Sequence, residues 1–178
     1  MADWRKHMKA SSLYGRHDFA AAAAVYEGIT SRDASDGFAA YMLATCYEHQ
    51  ERVADALHWA EAAARALPGS LYPLLSAVRL AIASGDHDKA TDYVLRALAL
   101  PEVTTEMPRE TLLPKPLLWL IWALYHTPVL RRRLRPGALA ELQPGSRAIE
   151  LQNWKEWAHG YLAWRSGNDG APPRRSPL

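Results

Sequence analysis

The stretch GFAAYMLATCYEHQERVADALHWAEAAARALPGS, residues 37–70, decides the fold. Its first part carries apolar residues at helical spacing: Phe38, Met42 and Cys46 on one line, Leu43 and Tyr47 on the next. A short polar turn follows, then a second apolar-rich segment over 53–67 closed by Pro68, which cannot continue a helix. The stretch therefore predicts two helices, over 38–50 and 53–67. Moving 34 residues either way reproduces it. Ala22, Ala56 and Ala90 stand in one register. So do Leu13, Tyr47 and Ala81; Phe19, Val53 and His87; Tyr26, Ala60 and Val94; and Ile29, Ala63 and Ala97. Three gapless units result: 3–36, 37–70 and 71–104.

The row at 22, 56 and 90 is alanine throughout, as expected where two helices cross and a small side chain lets their backbones approach. In the third unit Ser84-Gly85-Asp86 marks the break between helices, and Asp88 is expected to cap the helix that follows, with Asp18 and Asp55 near the same place in the other units.

Composition sets the bounds around this repeat. The chain has 178 residues, 49% hydrophobic and 22% charged, with a formal net charge of +2, which suits a folded domain and gives no reason to expect nucleic acid. The lone Cys46 excludes an internal disulfide framework. Residues 1–10 hold Trp4, Arg5, Lys6 and Lys9 and no apolar run, so no secretory signal is expected and a cytoplasmic location is the default. The composition breaks near residue 104. Of 31 alanines, 24 precede Leu100, whereas ten of the twelve prolines lie at or beyond residue 101, so regular helix packing gives way to helices interrupted by turns.

The repeat resembles the tetratricopeptide repeat family. The second unit carries the resemblance best, in Leu43-Ala44, Tyr47, Val53, Ala56, Ala63 and Pro68. The third supplies Gly85-Asp86, Ala90, Val94 and Ala97, and the first Phe19, Ala22 and Tyr26. In the first unit Gly28-Ile29 and Ala34 depart from the family pattern. The resemblance covers residues 3–104 and implies an all-α fold: a right-handed α-solenoid of helix hairpins, the first helix of each lining a concave groove. No such pair buries its apolar face alone. Leaving Val94, Leu95 and Leu98 uncovered would forfeit roughly 1.5–3 kcal/mol per large side chain. Residues 105–166 are therefore expected to form a helical cap on the last repeat. Pro116 and Pro144 each suit the first turn of a helix, where a missing N–H is not needed, and the second of these helices runs to Arg165. Residues 167–178 are expected to be a flexible tail.

The resemblance places the groove residues at i, i+3, i+7 and i+10 of each first helix. They are Trp4, His7, Ser11 and Tyr14; Phe38, Tyr41, Thr45 and Glu48; and Tyr72, Leu75, Arg79 and Ile82. The leading position is aromatic in all three. A row of that kind suits a protein or peptide partner offering an apolar or helical segment. The family members that clamp a C-terminal carboxylate use Lys and Asn at fixed groove positions. Here those places hold His7, Ser11, Tyr41 and Thr45, with only Arg79 cationic, so that subtype is set aside.

A second surface is read in the tail. Trp154, Trp157, Tyr161 and Trp164 follow helical spacing, extended upstream by Leu151, and form a stripe that either packs on the solenoid or occupies its groove. The apolar segment 117–130 precedes Arg131, Arg132, Arg133 and Arg135. Its 14 residues span at most about 21 Å of helix against roughly 30 Å of hydrocarbon, too short to cross a bilayer. It suits a buried cap helix, or an interface where the arginines meet anionic headgroups or an acidic partner.

Catalytic chemistry has no foothold. The seven histidines form no HExxH-type pair, Asp86-His87-Asp88 falls on a repeat turn, and Cys46 sits among apolar helix residues. No glycine-rich loop follows a strand. No metal, cofactor or catalytic residue is expected. The favoured reading is a non-catalytic adaptor or chaperone. Its alternatives are a peripheral membrane scaffold using 117–135 and a bacterial secretion-type repeat chaperone, and a homo-oligomer is compatible with each.

Overall fold

The computed structural model describes residues 4–100 and 144–167, and holds seven α-helices and no strand among them. They are α1 (Trp4–Gly15), α2 (Phe19–Thr30), α3 (Gly37–His49), α4 (Val53–Ala66), α5 (Leu71–Ala83), α6 (His87–Leu98) and α7 (Pro144–Arg165). The chain divides into two units, Met1–Leu112 and Leu113–Leu178. The first contains α1 to α6; of the second, α7 is described. The helix expected to start at Pro116, the segment 117–130, the four arginines and the 168–178 part of the tail lie outside the described residues.

In the first unit each helix packs against the next, forming three hairpins. The second helices begin at Phe19, Val53 and His87, one repeat stride apart. Ala22, Ala56 and Ala90 are each 0% exposed, at the helix crossings where their register predicts them. Tyr26, Ala60 and Val94 are equally buried, as are Leu43 and Cys46 between them in the stack. Burying one large side chain of this core contributes roughly 1.5–3 kcal/mol.

The turns repeat as closely as the core. The turn after each first helix holds a residue with left-handed backbone, His17 (φ 62°), Glu51 (φ 60°) and Gly85 (φ 78°), again 34 apart. The next N–H reaches back to the carbonyl five positions earlier: Asp18 to Leu13 (3.1 Å), Arg52 to Tyr47 (3.0 Å) and Asp86 to Ala81 (2.9 Å). This closure satisfies carbonyls the helix leaves open. Only the third turn has the glycine that the conformation favours.

Asp86, not Asp88, caps α6: its carboxylate accepts the Lys89 N–H at 3.1 Å. The helix starts at His87, so Asp88 already lies in its first turn, where a carboxylate favours the helix dipole. Asp18 caps α2 through the Ala21 N–H as expected, and Asp36 caps α3 through Ala39. Asp55 lies inside α4, whose N-cap, Arg52, makes no side-chain cap and instead bonds Asp55 at 2.7 Å. In the last hairpin Val94 is buried and Leu98 half-buried, but Leu95 is 54% exposed. It shares the outer face of α6 with Asp88 and Asp92.

In the second unit α7 starts on Pro144, the residue whose missing N–H suits a first helical turn. Trp154, Ala158 and Tyr161 are buried along it. Among the described residues no helix is long and apolar enough to cross a membrane.

Candidate functional site

In the first unit α1, α3 and α5, the odd-numbered helices of the hairpins, lie side by side. α1 meets α3 through His7, whose Nε2 is 2.8 Å from Asp36 and whose ring lies 5.6 Å from that of Phe38, and through Tyr14, whose hydroxyl is 3.0 Å from His49 Nε2. α3 meets α5 through Glu48 and Arg79, a two-pronged ion pair with Nη2 2.8 Å from Oε2. The even-numbered helices form a second layer, where Glu61 of α4 accepts from Tyr93 (2.8 Å) and Lys89 (3.3 Å) of α6.

All twelve residues of the expected groove stand on the odd-helix layer, with different fates. Trp4 is 58% exposed. Tyr72 is half-buried, and Phe38 only 5% exposed under the His7 ring. His7 and Leu75 are buried as well. Ser11 is half-buried and hydrogen-bonds Tyr26 at 3.1 Å, while Thr45 donates to the Tyr41 carbonyl at 3.0 Å. Tyr14, Tyr41, Glu48 and Ile82 are half-buried and Arg79 is exposed. Accessible surface on this layer therefore comes chiefly from Trp4, Tyr41, Glu48, Tyr72, Arg79 and Ile82.

Tyr41 gathers the second and third hairpins. Burial pushes its phenol above the ordinary tyrosine value, Arg79 pulls the other way, and Tyr72 and Glu48 reinforce the rise. The Ser76 hydroxyl also pulls it down. The result is a neutral hydroxyl beside an internally paired cation: a strip able to offer ring faces and hydrogen bonds with little net charge.

Asp36 behaves differently. Burial works to raise its carboxyl, but hydrogen bonds from His7 and from the Ala39 and Phe38 N–H groups, with the field of His7, hold it below the ordinary aspartate value. His7 thereby ties α1 to the N-terminus of α3, leaving its Nδ1 buried without a hydrogen-bond partner. Two contributors escaped the sequence reading. His49 stacks on Phe19 (4.2 Å between centroids, 9° between planes), and Ser76 lies buried under Tyr41. A polar residue inside the apolar run 71–78 was the available signal for Ser76. His49 had none, since its spacing matches no groove position.

Cys46 is buried, and burial pushes its thiol up to about 12, leaving it a packing residue and not a nucleophile. Among the described residues no three His, Cys, Asp or Glu side chains come together as a metal site. On α7, Trp157 and Tyr161 stack at 5.4 Å and Tyr161 meets Trp164 at 5.7 Å.

The family model for the tetratricopeptide repeat matches residues 7–70. Residues 7–70 are tetratricopeptide repeats. The α5–α6 hairpin continues their register, turn geometry and cap position. The chain is similar to the type III secretion chaperone SycD of Yersinia enterocolitica in complex with a peptide of the translocator YopD. TM-score is 0.53 and identity 16%, over 60% of this chain and 82% of that chain. It is similar also to the Yersinia enterocolitica type III secretion translocator chaperone SycD, with TM-score 0.51 and identity 15%, over 73% of this chain and 85% of that chain. At these identities the likeness is one of fold. No curated protein sequence matches this chain.

Proposed function

We propose that this protein is a non-catalytic protein-interaction module, an adaptor or chaperone holding an apolar or helical segment of a partner against the α1/α3/α5 layer. One observation carries the reading. Rings and hydroxyls from successive hairpins stand together on that layer, and its groove cation, Arg79, is already paired with Glu48. A surface with aromatic faces, few free charges and hydrogen-bonding hydroxyls suits an amphipathic segment better than a carboxylate terminus. The narrower form, a bacterial secretion-type chaperone acting in the cytoplasm, draws on the likeness to SycD, a protein solved with a translocator peptide.

Peptide-library selection on the immobilised protein tests the proposal. Wild type is expected to enrich amphipathic apolar sequences, and a Trp4→Ala/Tyr72→Ala variant with unchanged helical circular dichroism is expected to lose that enrichment. Equal enrichment by both proteins contradicts the reading. Phe38 is unsuited to the test, because removing a buried ring costs about 3–5 kcal/mol of stability.

A further inference from the structure

The outer edge of α1 differs from the rest of the solenoid in charge and in cover. Residues 4–16 hold four Lys/Arg and no Asp/Glu, whereas residues 17–100 hold six Lys/Arg against eleven Asp/Glu. Arg5, Lys9 and Arg16 are exposed. Arg52, Arg79, Lys89 and Arg96 each hold a carboxylate, but among the described residues Arg5, Lys9 and Arg16 make no ion pair. Arg5 instead sits 5.8 Å from the centre of the Trp4 ring.

Two of the three exposed large apolar side chains among the described residues stand on the same helix: Trp4 and Met8, each 58% exposed. Helical geometry puts these two within about 40° of one another, and Arg5 and Lys9 within about 40° of one another on the adjoining strip. His7 and Ala10 point to the buried side. The outward face of α1 is thus an apolar strip beside a cationic one. We infer that this edge docks an acidic amphipathic segment of a partner protein, its apolar side chains on Trp4 and Met8 and its carboxylates on Arg5, Lys9 and Arg16.

Charge complementarity selects this occupant. The unpaired cations call for an anion, and the adjoining strip calls for apolar side chains in register with it. A bilayer is less well served. An interfacial helix sinks its main apolar face into the lipid, and here that face is spent inside the fold, leaving two side chains. The edge shares Trp4 with the groove but takes Met8 and its cations from outside it, so Tyr72→Ala and the charge reversal separate the two surfaces.

The test uses the full chain and a fluorescently labelled helical peptide with leucine on one face and glutamate on the other. Controls are its glutamine counterpart and vesicles of phosphatidylcholine with phosphatidylglycerol. The glutamate peptide is expected to bind wild type at low salt, and about tenfold or more weaker to Arg5→Glu/Lys9→Glu/Arg16→Glu. Met8→Ser is expected to weaken it, and Tyr72→Ala to leave it unchanged, with helical content constant across the variants. Equal affinity for the glutamine peptide, or binding lost in Tyr72→Ala but kept in the charge reversal, overturns the inference. So does vesicle binding without peptide binding, or no binding at all.

Discussion

His7 Nε2 lies 2.8 Å from Asp36 Oδ2, with both side chains more than nine-tenths buried, and this contact joins the first helix to the start of the third. The carboxylate thereby serves two helices, since its other oxygen accepts the Ala39 N–H at 2.9 Å. Because the folded state holds Asp36 below its ordinary value, the stability it contributes is complete above the unfolded-state pKa of about 4 and is lost as pH falls below it. Asp36→Asn keeps a capping side chain but loses the charge. It is expected to lower stability by about 1–3 kcal/mol near neutral pH and to flatten the acid limb of the stability profile. Urea unfolding from pH 6 to pH 3 reads both effects. A variant with wild-type stability and an unchanged acid limb contradicts this role.

The turn between the helices of each hairpin predicts opposite outcomes at equivalent positions. Glu51→Gly relieves a left-handed non-glycine residue, and is expected to gain up to about 1 kcal/mol after the flexibility it adds to the unfolded chain. Gly85→Ala imposes that strain and is expected to lose about 1 kcal/mol. Thermal unfolding of the two variants distinguishes them by sign, and a shift of the same sign in both would refute the shared turn geometry.

At the helix crossings, enlargement is costly. Ala56 is 0% exposed, and Ala56→Leu forces extra atoms into a filled crossing. A loss of about 1–3 kcal/mol is expected. Ala54 on the same helix is exposed, so Ala54→Leu should change stability by under about 0.5 kcal/mol. Comparable losses in the two would mean that the alanine row is not where the helices meet.

Much of this architecture was legible because a 34-residue stride leaves several independent marks. Alanines at 22, 56 and 90 gave the crossings, and Phe19, Val53 and His87 gave the starts of the second helices. Cap identity was less legible: Asp86 and Asp88 both suit a helix start, and only the position of the left-handed residue Gly85 decides between them. Spacing put the twelve expected groove residues on α1, α3 and α5 but could not rank their exposure. Phe38 and Trp4 hold equivalent positions, yet one lies against the His7 ring and is buried while the other is exposed. That difference arises from neighbours distant in sequence. On α7 the helical spacing of Trp154, Trp157, Tyr161 and Trp164 was plain, but which of them are buried depends on packing that spacing alone does not report.

Site-specific photocrosslinking in cells tests the groove most directly. A photoreactive phenylalanine analogue is placed at Tyr41 or Tyr72 on the odd-helix layer, and at the exposed His58 of α4 as the comparison. The account predicts a discrete partner adduct from positions 41 and 72, absent from position 58 and traceable by mass spectrometry to an amphipathic segment. Adducts formed equally well from position 58, or from that position alone, would contradict it.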